Sequence, residues 1–305
     1  MNSGRGPVGG LVLARLGPVP WRPYLELCKP RVVLLLVFTA VAGMLLAAPA
    51  GGVSGSLLSL AALGIGLAAA AGAVLNHVAD QYVDSLMERT RGRPLPGERL
   101  SRAQALVFAL GLAVPAMVIL VGWVNPLTAL LTASSMFGYA VVYTLFLKRA
   151  TPYNIVLGGA AGAAPPVLGG TAVSGQVSPE ALVLFLIIFL WTPPHFWPLA
   201  IRRRAEYARA GIPMLPVTHG VAHTKAQILV YTGLLVAATV LPYAIGMSGI
   251  VYLAGAMLLG AGFLYHSAVL YRSPGDGAAM RTFAYSIFYL GALFALLLVD
   301  RYLAG

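Results

Sequence analysis

The sequence predicts an all-α polytopic membrane protein with about nine transmembrane helices. Of its 305 residues, 59% are hydrophobic and only 10% are charged, whereas soluble domains average about 25% charged residues. The apolar residues form runs close to the roughly 20 residues that a helix needs to cross a bilayer. The few lysines and arginines collect between alternate runs. This composition excludes a chain built around a sizeable soluble domain.

Nine apolar runs, separated by short polar or Pro/Gly-rich breaks, are the candidate spans. They lie near residues 32–50, 56–77, 103–123, 126–147, 153–173, 180–201, 226–245, 249–270 and 281–299. No segment between them is long enough to fold as a soluble domain. We therefore expect a short cytoplasmic tail at residues 1–28 and a single intramembrane domain at 29–305.

The positions of the basic residues predict the orientation. With the N-terminus in the cytoplasm, all but one of the 20 lysines and arginines fall on the cytoplasmic side, and the exception is Arg301. Membrane proteins carry such an excess in their cytoplasmic loops. We therefore expect a multi-pass protein of the inner (plasma) membrane, with the long loops near 78–102 and 202–225 in the cytoplasm. Orientation accounts for most of the net charge of +11, so no nucleic-acid partner is needed.

The second span runs directly into the stretch NHVADQYVD, which holds two of the nine acidic residues of the chain. Asn76, Asp80 and Asp84 are four residues apart and line one face of a helix. Carboxylates at the end of a span are costly unless they have a partner. An amide and two carboxylates are hard oxygen ligands that suit Mg²⁺, which prefers carboxylates together with substrate phosphates. We predict that these three residues bind Mg²⁺ and that His77 points away from them.

Two arginines follow this stripe, again four residues apart. Arg89 and Arg93 have the planar side chains that make bidentate contacts with phosphate oxygens. Carboxylates for a metal, followed by arginines for phosphate, predict a site that holds a diphosphate through Mg²⁺. The alternative, a solvated helix end with surface ion pairs, is disfavoured because acidic residues are so scarce in this chain.

The end of the sixth span, FLWTPPHFWPLAIRRR, is the second candidate site. Three prolines surround His195, which predicts a break in the helix at this point. Broken backbone is tolerated at membrane depth where it lines a cavity. A histidine there is a candidate metal ligand or acid–base group, although it could instead donate a structural hydrogen bond to a free carbonyl. Beyond it come Arg202 and Glu206, the only acidic residue of this loop.

A third signal lies between these two. Lys148 precedes the segment TPYN and the small-residue stretch GGAAGAAPPVLGG at 158–170. Small residues let helices approach closely. The same pattern also suits a pocket for a large flat or isoprenoid ligand.

The pattern N-x-x-x-D-x-x-x-D followed by M-x-R-T-x-x-R-P-L, here at 76–84 and 87–95, resembles the UbiA superfamily of intramembrane prenyltransferases. The segments PHFW at 194–197, YARAGIPMLPV at 207–217 and YTLFLKRATPYNIVLGG at 143–159 resemble the branch of that superfamily that modifies heme. The resemblance extends from about Lys29 to the ninth span. It implies a UbiA-like fold, with nine helices around a central cavity.

The resemblance also implies an activity. A farnesyl group would pass from farnesyl diphosphate to a vinyl group of protoheme IX, and water addition would give heme O. The cofactor would be Mg²⁺, and a heme A synthase would be a partner. Arg89, Arg93, Lys148 and Arg202 would bind the diphosphate.

The same resemblance implies roles at the second candidate site. His195 and Trp197 would bind heme, with His195 as axial ligand or as the base for water addition. Most members of the superfamily carry a second Asp-rich motif after the sixth span, and this chain has only Glu206 there. Glu206 is therefore the candidate ligand for a second Mg²⁺.

Two other functions stay open at this stage. Prenylation of an aromatic quinone precursor uses the same donor chemistry, but the second Asp-rich loop that would favour it is missing. A transporter of an anionic lipid or metabolite would also suit prolines in spans and cytoplasmic arginines. Here, however, the functional charges gather at one face only. A non-catalytic assembly factor would leave Asn76, Asp80 and Asp84 unexplained.

Overall fold

The computed structural model describes residues 21–49 and 51–303, and the regular structure of these two ranges is entirely helical. The first 20 residues of the predicted tail lie outside the described ranges. The helices, in chain order, are α1 Trp21–Leu27, α2 Pro30–Leu46, α3 Gly55–Leu86, α4 Arg102–Val124, α5 Pro126–Ala150, α6 Asn154–Ser174, α7 Pro179–Arg202, α8 Arg204–Arg209, α9 Leu215–Thr218, α10 Gly220–Ala244, α11 Ile250–Arg272 and α12 Ala279–Leu303.

The predicted number of spans is confirmed within the described residues. Eight helices are long and apolar enough to cross a membrane, and α1 with α2, bent by 51° at their junction, make a ninth candidate. The second span does not stop at residue 77, because α3 continues to Leu86. The polar stripe of the first candidate site is therefore an extension of a membrane helix.

The break predicted in the sixth span is wrong. α7 is helical from Pro179 to Arg202, with Pro193, Pro194 and Pro198 inside it. Each proline removes one backbone donor, but neighbouring helices can hold such a segment in place within a membrane bundle. α7 packs against α6, α10 and α12, and this central position explains why it stays helical.

The small residues of α6 bring its backbone into direct contact with α2. A Cβ atom on Gly169 would overlap the carbonyl group of Ala40, and one on Gly43 would overlap the carbonyl of Pro166. This is the close helix approach that the glycine-rich stretch predicts. The contact fixes α2, and with it the position of Lys29 just before that helix.

Replacing Gly169 by Ala should therefore destabilise the fold by about 1–3 kcal/mol, because the two backbones must move apart. On the same helix, a Cβ atom added to Gly162 would meet no other atom within 4 Å, so Gly162→Ala is the matched control and should be neutral or slightly stabilising. Thermal unfolding of the two variants in detergent would measure the difference. Equal melting temperatures would contradict the close contact.

Candidate functional site

Asn76, Asp80 and Asp84 lie on one side of α3 near its C-terminal end, and all three are buried, with exposed fractions of 5%, 3% and 4%. The amide nitrogen of Asn76 donates to Oδ2 of Asp80 at 2.9 Å and to the hydroxyl of Thr144 at 3.1 Å. The stripe predicted from the spacing is thus buried, and a hydrogen bond joins Asn76 to Asp80 within it. Its assignment to a metal stays a prediction.

Three cations from separate segments meet this stripe. Lys29 donates to Oδ1 of Asn76 at 2.6 Å, and Lys148 donates to Oδ2 of Asp80 at 2.6 Å. Nη1 of Arg93 contacts both carboxylate oxygens of Asp84, at 2.9 and 2.8 Å. Buried carboxylates need such partners. Lys29 is not among the site residues that the sequence predicts, and its place directly before the first span is the one signal that points to it.

A π-helical segment in α5 positions Lys148. Residues Gly138–Leu147 form this segment, and the hydroxyl of Thr144 donates to the carbonyl of Tyr139, five residues earlier, at 2.7 Å. In an α-helix, the nine residues from Tyr139 to Lys148 make about two and a half turns and would put them on opposite faces. The wider i→i+5 turns of a π-helix shorten this to about two turns. Both side chains therefore border the same cavity.

The two arginines of the first loop lie beyond the end of α3. α3 ends at Leu86, and the hydroxyl of Thr90 donates to the backbone carbonyl of Asp84 at 2.8 Å. The chain then turns back, so that Arg93 pairs with Asp84. Arg89 forms no ion pair with any described residue and faces the cavity. The fold of the loop, rather than helical spacing, brings both arginines to the site.

The orientation predicted for His77 is also wrong. Its Nδ1 atom lies 3.8 Å from Oδ2 of Asp84, and the ring is buried. Seven residues make nearly two full turns, so His77 and Asp84 share a face. A four-residue step, in contrast, drifts by about 40° each time. The stripe thus curves toward His77 over its length.

The carboxylate stripe and the cations around it border a cavity of about 160 Å³. Six of the predicted site residues line it: Asn76, Asp80, Asp84, Arg89, Arg93 and Lys148. Lys29 joins them, so that four cations face two carboxylates, and this excess of positive charge attracts an anion. The rest of the lining is apolar or aromatic: Val83, Met87, Tyr139, Tyr143, Phe196, Tyr207, Ile212 and Met214.

Two predicted heme contacts lie outside this lining. His195 stacks against Trp191 and Phe283, with ring centroids 4.1 and 4.7 Å apart. Trp197 is fully buried and meets the ring of Tyr231 edge-on at 5.3 Å. The two side chains therefore face different neighbours of α7, and their joint role in heme binding stays a prediction.

The remaining two predicted residues are also apart from the carboxylate stripe. Arg202 is exposed. Glu206 accepts from Arg203 at 3.3 Å through one oxygen, while its other oxygen is buried without a partner among the described residues. Within the described ranges, no cluster of three or more His, Cys, Asp or Glu side chains could hold a metal ion. The roles of Arg202 in phosphate binding and Glu206 in metal binding stay predictions.

The residues of the stripe nevertheless fit a divalent cation. Oδ1 of Asp80 is buried and has no hydrogen-bond partner among the described residues. Oδ2 of Asp80 and Oδ1 of Asn76 both meet ammonium groups, so these oxygens already lie opposite positive charge. Mg²⁺ needs only a few hard oxygen ligands from the protein when phosphate oxygens complete its coordination shell.

Residues 36–296 match the model of the UbiA prenyltransferase family. The chain is 58% identical to the protoheme IX farnesyltransferase of Thioalkalivibrio sulfidiphilus over 97% of both chains. It is 56% identical to that of Nitrosococcus oceani over 96% of this chain and 98% of the relative. It is 60% identical to protoheme IX farnesyltransferase 1 of Pseudomonas putida strain F1 over 93% of this chain and 95% of the relative.

Two solved structures share the fold. A structure of digeranylgeranylglyceryl phosphate synthase superposes with a TM-score of 0.77 at 19% identity, covering 92% of this chain and 97% of that one. A UbiA homolog from Archaeoglobus fulgidus, bound to GPP and Mg²⁺, superposes with a TM-score of 0.64 at 16% identity, covering 90% and 99%.

Proposed function

The chain belongs to the UbiA prenyltransferase family, and we propose that it transfers a farnesyl group from farnesyl diphosphate to a vinyl group of protoheme IX, with addition of water to give heme O. The use of farnesyl diphosphate as donor is supported by one observation. The buried stripe of Asn76, Asp80 and Asp84 faces four cations across the cavity. The protoheme IX farnesyltransferases at 56% to 60% identity support the acceptor.

The cations of the cavity suit a diphosphate as leaving group. Cations fixed beforehand where negative charge develops lower the barrier for breaking the allylic C–O bond. Arg89 has no acidic partner among the described residues and is free to meet phosphate oxygens. Burial raises the pKa of Tyr207, so its hydroxyl stays protonated and can donate to the same anion.

Asn76, Asp80 and Asp84 would hold Mg²⁺, which supplies Lewis-acid neutralisation of the departing diphosphate when bound. Lys29 and Lys148 contact the same oxygens, so they balance the carboxylate charge on the protein side. The UbiA homolog from Archaeoglobus fulgidus with GPP and Mg²⁺ supports this assignment.

The apolar part of the cavity would protect the carbocation. Val83, Met87 and Phe196 keep water from the reacting carbon, as a cationic intermediate requires. The faces of Tyr139 and Tyr143, stacked at 5.7 Å, can stabilise positive charge. The cavity volume of about 160 Å³ suits the diphosphate end of the donor, since pockets for drug-sized ligands start at about 300 Å³. The isoprenoid chain would extend beyond it, between the helices.

The proposed location is the inner membrane, with the stripe at the cytoplasmic side. The one-sided distribution of lysines and arginines supports this orientation. Farnesyl diphosphate is charged and would reach the stripe from the cytoplasm. Protoheme IX would enter from the bilayer, and a heme A synthase would take the product.

The test uses the purified full chain in detergent, with hemin reduced in situ, farnesyl diphosphate and Mg²⁺. Mass spectrometry should detect heme that has gained one farnesyl group and one hydroxyl group, since the captured water releases a proton, and chelation of Mg²⁺ should abolish this product. Prenylation of a phenolic acid but not of heme would overturn the acceptor. No transfer to either acceptor would overturn the enzyme assignment and favour the transporter.

A further inference from the structure

The ring of His195 is held between two aromatic side chains and contacts a serine on α12. Trp191 stacks at 4.1 Å between centroids and is nearly parallel to the imidazole, at 13°. Phe283 of α12 stacks at 4.7 Å and 23°. The ring therefore has little freedom to turn. Its Nδ1 atom lies 2.7 Å from the hydroxyl oxygen of Ser286.

The hydrogen bonds around Ser286 fix the tautomer of this ring. A serine hydroxyl has one proton to donate, and that of Ser286 goes to the backbone carbonyl of Phe283 at 2.6 Å. The oxygen of Ser286 can then only accept from Nδ1 of His195. Nδ1 therefore carries the proton, and Nε2 holds the free lone pair.

Nε2 is the ring nitrogen without a partner in the described part of the chain, on a residue that is partly exposed. It makes no hydrogen bond with any described residue, and it is not among the buried polar atoms that lack a partner, whereas both ring nitrogens of His77 are. An unprotonated, accessible Nε2 is the atom with which histidine binds iron. Histidine ligands of metals usually donate their other N–H group to a neighbour, which fixes the tautomer and makes the ligand more basic.

We propose that Ser286 is a positioning residue that holds His195 as the Nδ1–H tautomer, so that Nε2 binds the iron of the heme substrate. This deepens the proposed function and depends on it. We assign His195 the role of iron ligand rather than base, and the spectra described below distinguish the two. Trp191 and Phe283 hold the plane of the ring, and Ser286 sets which nitrogen is free.

The experiment compares ferrous heme bound to the full-length wild type and to Ser286→Ala, Ser286→Thr, His195→Ala and Thr282→Val. Thr282 is the matched control: its buried hydroxyl lies one turn earlier on α12 and bonds the carbonyls of Ala278 and His266 instead. Heme affinity and the iron–histidine stretching band in resonance Raman spectra are measured for each. Farnesylated heme is measured by mass spectrometry in parallel.

We expect Ser286→Ala to bind heme about 10–100-fold more weakly, with the iron–histidine band at lower frequency because the imidazole is less basic. Ser286→Thr should restore both, Thr282→Val should match the wild type, and His195→Ala should lose the band. An unchanged band and affinity in Ser286→Ala would overturn the proposal. So would a band that persists in His195→Ala, or no band in the wild type.

The same measurements separate this proposal from the proposed function. Wild type that farnesylates heme while Ser286→Ala shows an unchanged band would overturn the role of Ser286 and keep the activity. Wild type that shows the band, with the loss expected in Ser286→Ala, but makes no farnesylated heme, would support the ligand assignment and overturn the activity.

Discussion

Asp80→Asn should lower kcat for prenyl transfer by about 10³-fold, the upper end of what a single preorganised electrostatic group contributes. The side chain keeps its size but loses its charge at the centre of the stripe, where Oδ1 is buried and without a partner among the described residues. The ion pair with Lys148 is lost as well. Purified variant and wild type would be compared at saturating farnesyl diphosphate and Mg²⁺, together with their thermal unfolding.

Asp300→Asn is the control for the loss of a buried carboxylate. Asp300 accepts from the backbone N–H groups of Gly249 and Tyr252 at the start of α11, away from the cavity lining. Asn keeps one of the two acceptor oxygens, so losing the other hydrogen bond should cost about 1 kcal/mol of stability without changing kcat per folded molecule. A kcat of Asp80→Asn within tenfold of the wild type, or an equal fall in both variants, would contradict the catalytic role of the stripe.

Local sequence predicted those parts of the structure that depend on local physics. The nine spans follow from runs of apolar residues, and the shared face of Asn76, Asp80 and Asp84 follows from helical spacing. The continuity of α7 through Pro193, Pro194 and Pro198 could not be predicted, because it depends on packing against three other helices. The contact of Lys29 with Asn76 joins residues that are 47 positions apart, and no local pattern encodes it.

The position of Lys148 could not be predicted from local sequence either, although it depends on a single helix. An α-helical register would have put it opposite Tyr139, and only the π-helical turns of Gly138–Leu147 bring it to the cavity. Aromatic and β-branched residues fill this segment in the sequence YAVVYTLF, but they are equally common in ordinary membrane helices. The family resemblance, in contrast, includes this segment and predicts that Lys148 binds the diphosphate. It depends on the order of the residues and not on the type of helix that they form.

Lys148→Met should lower kcat by about 10²-fold, because a cation next to the leaving diphosphate is removed. Its ammonium group lies 2.6 Å from Oδ2 of Asp80. Arg149→Met is the matched control: it removes the same charge from the next residue, whose side chain is exposed and forms no ion pair within the described part of the chain. Charge, membrane insertion and expression are therefore affected alike in the two variants.

A second measurement separates loss of catalysis from loss of folding. Without the ammonium group, Oδ2 of Asp80 keeps only the hydrogen bond from Asn76, and Oδ1 has no partner among the described residues. Lys148→Met should therefore bind Mg²⁺ more tightly than the wild type in the absence of diphosphate. Titration with Mg²⁺ and a steady-state assay of both variants would test this. A slower enzyme with a tighter metal site means that Lys148 acts on the leaving group, since a misfolded site would lose both properties. Equal kcat in Lys148→Met and Arg149→Met would instead show that Lys148 only neutralises a buried carboxylate.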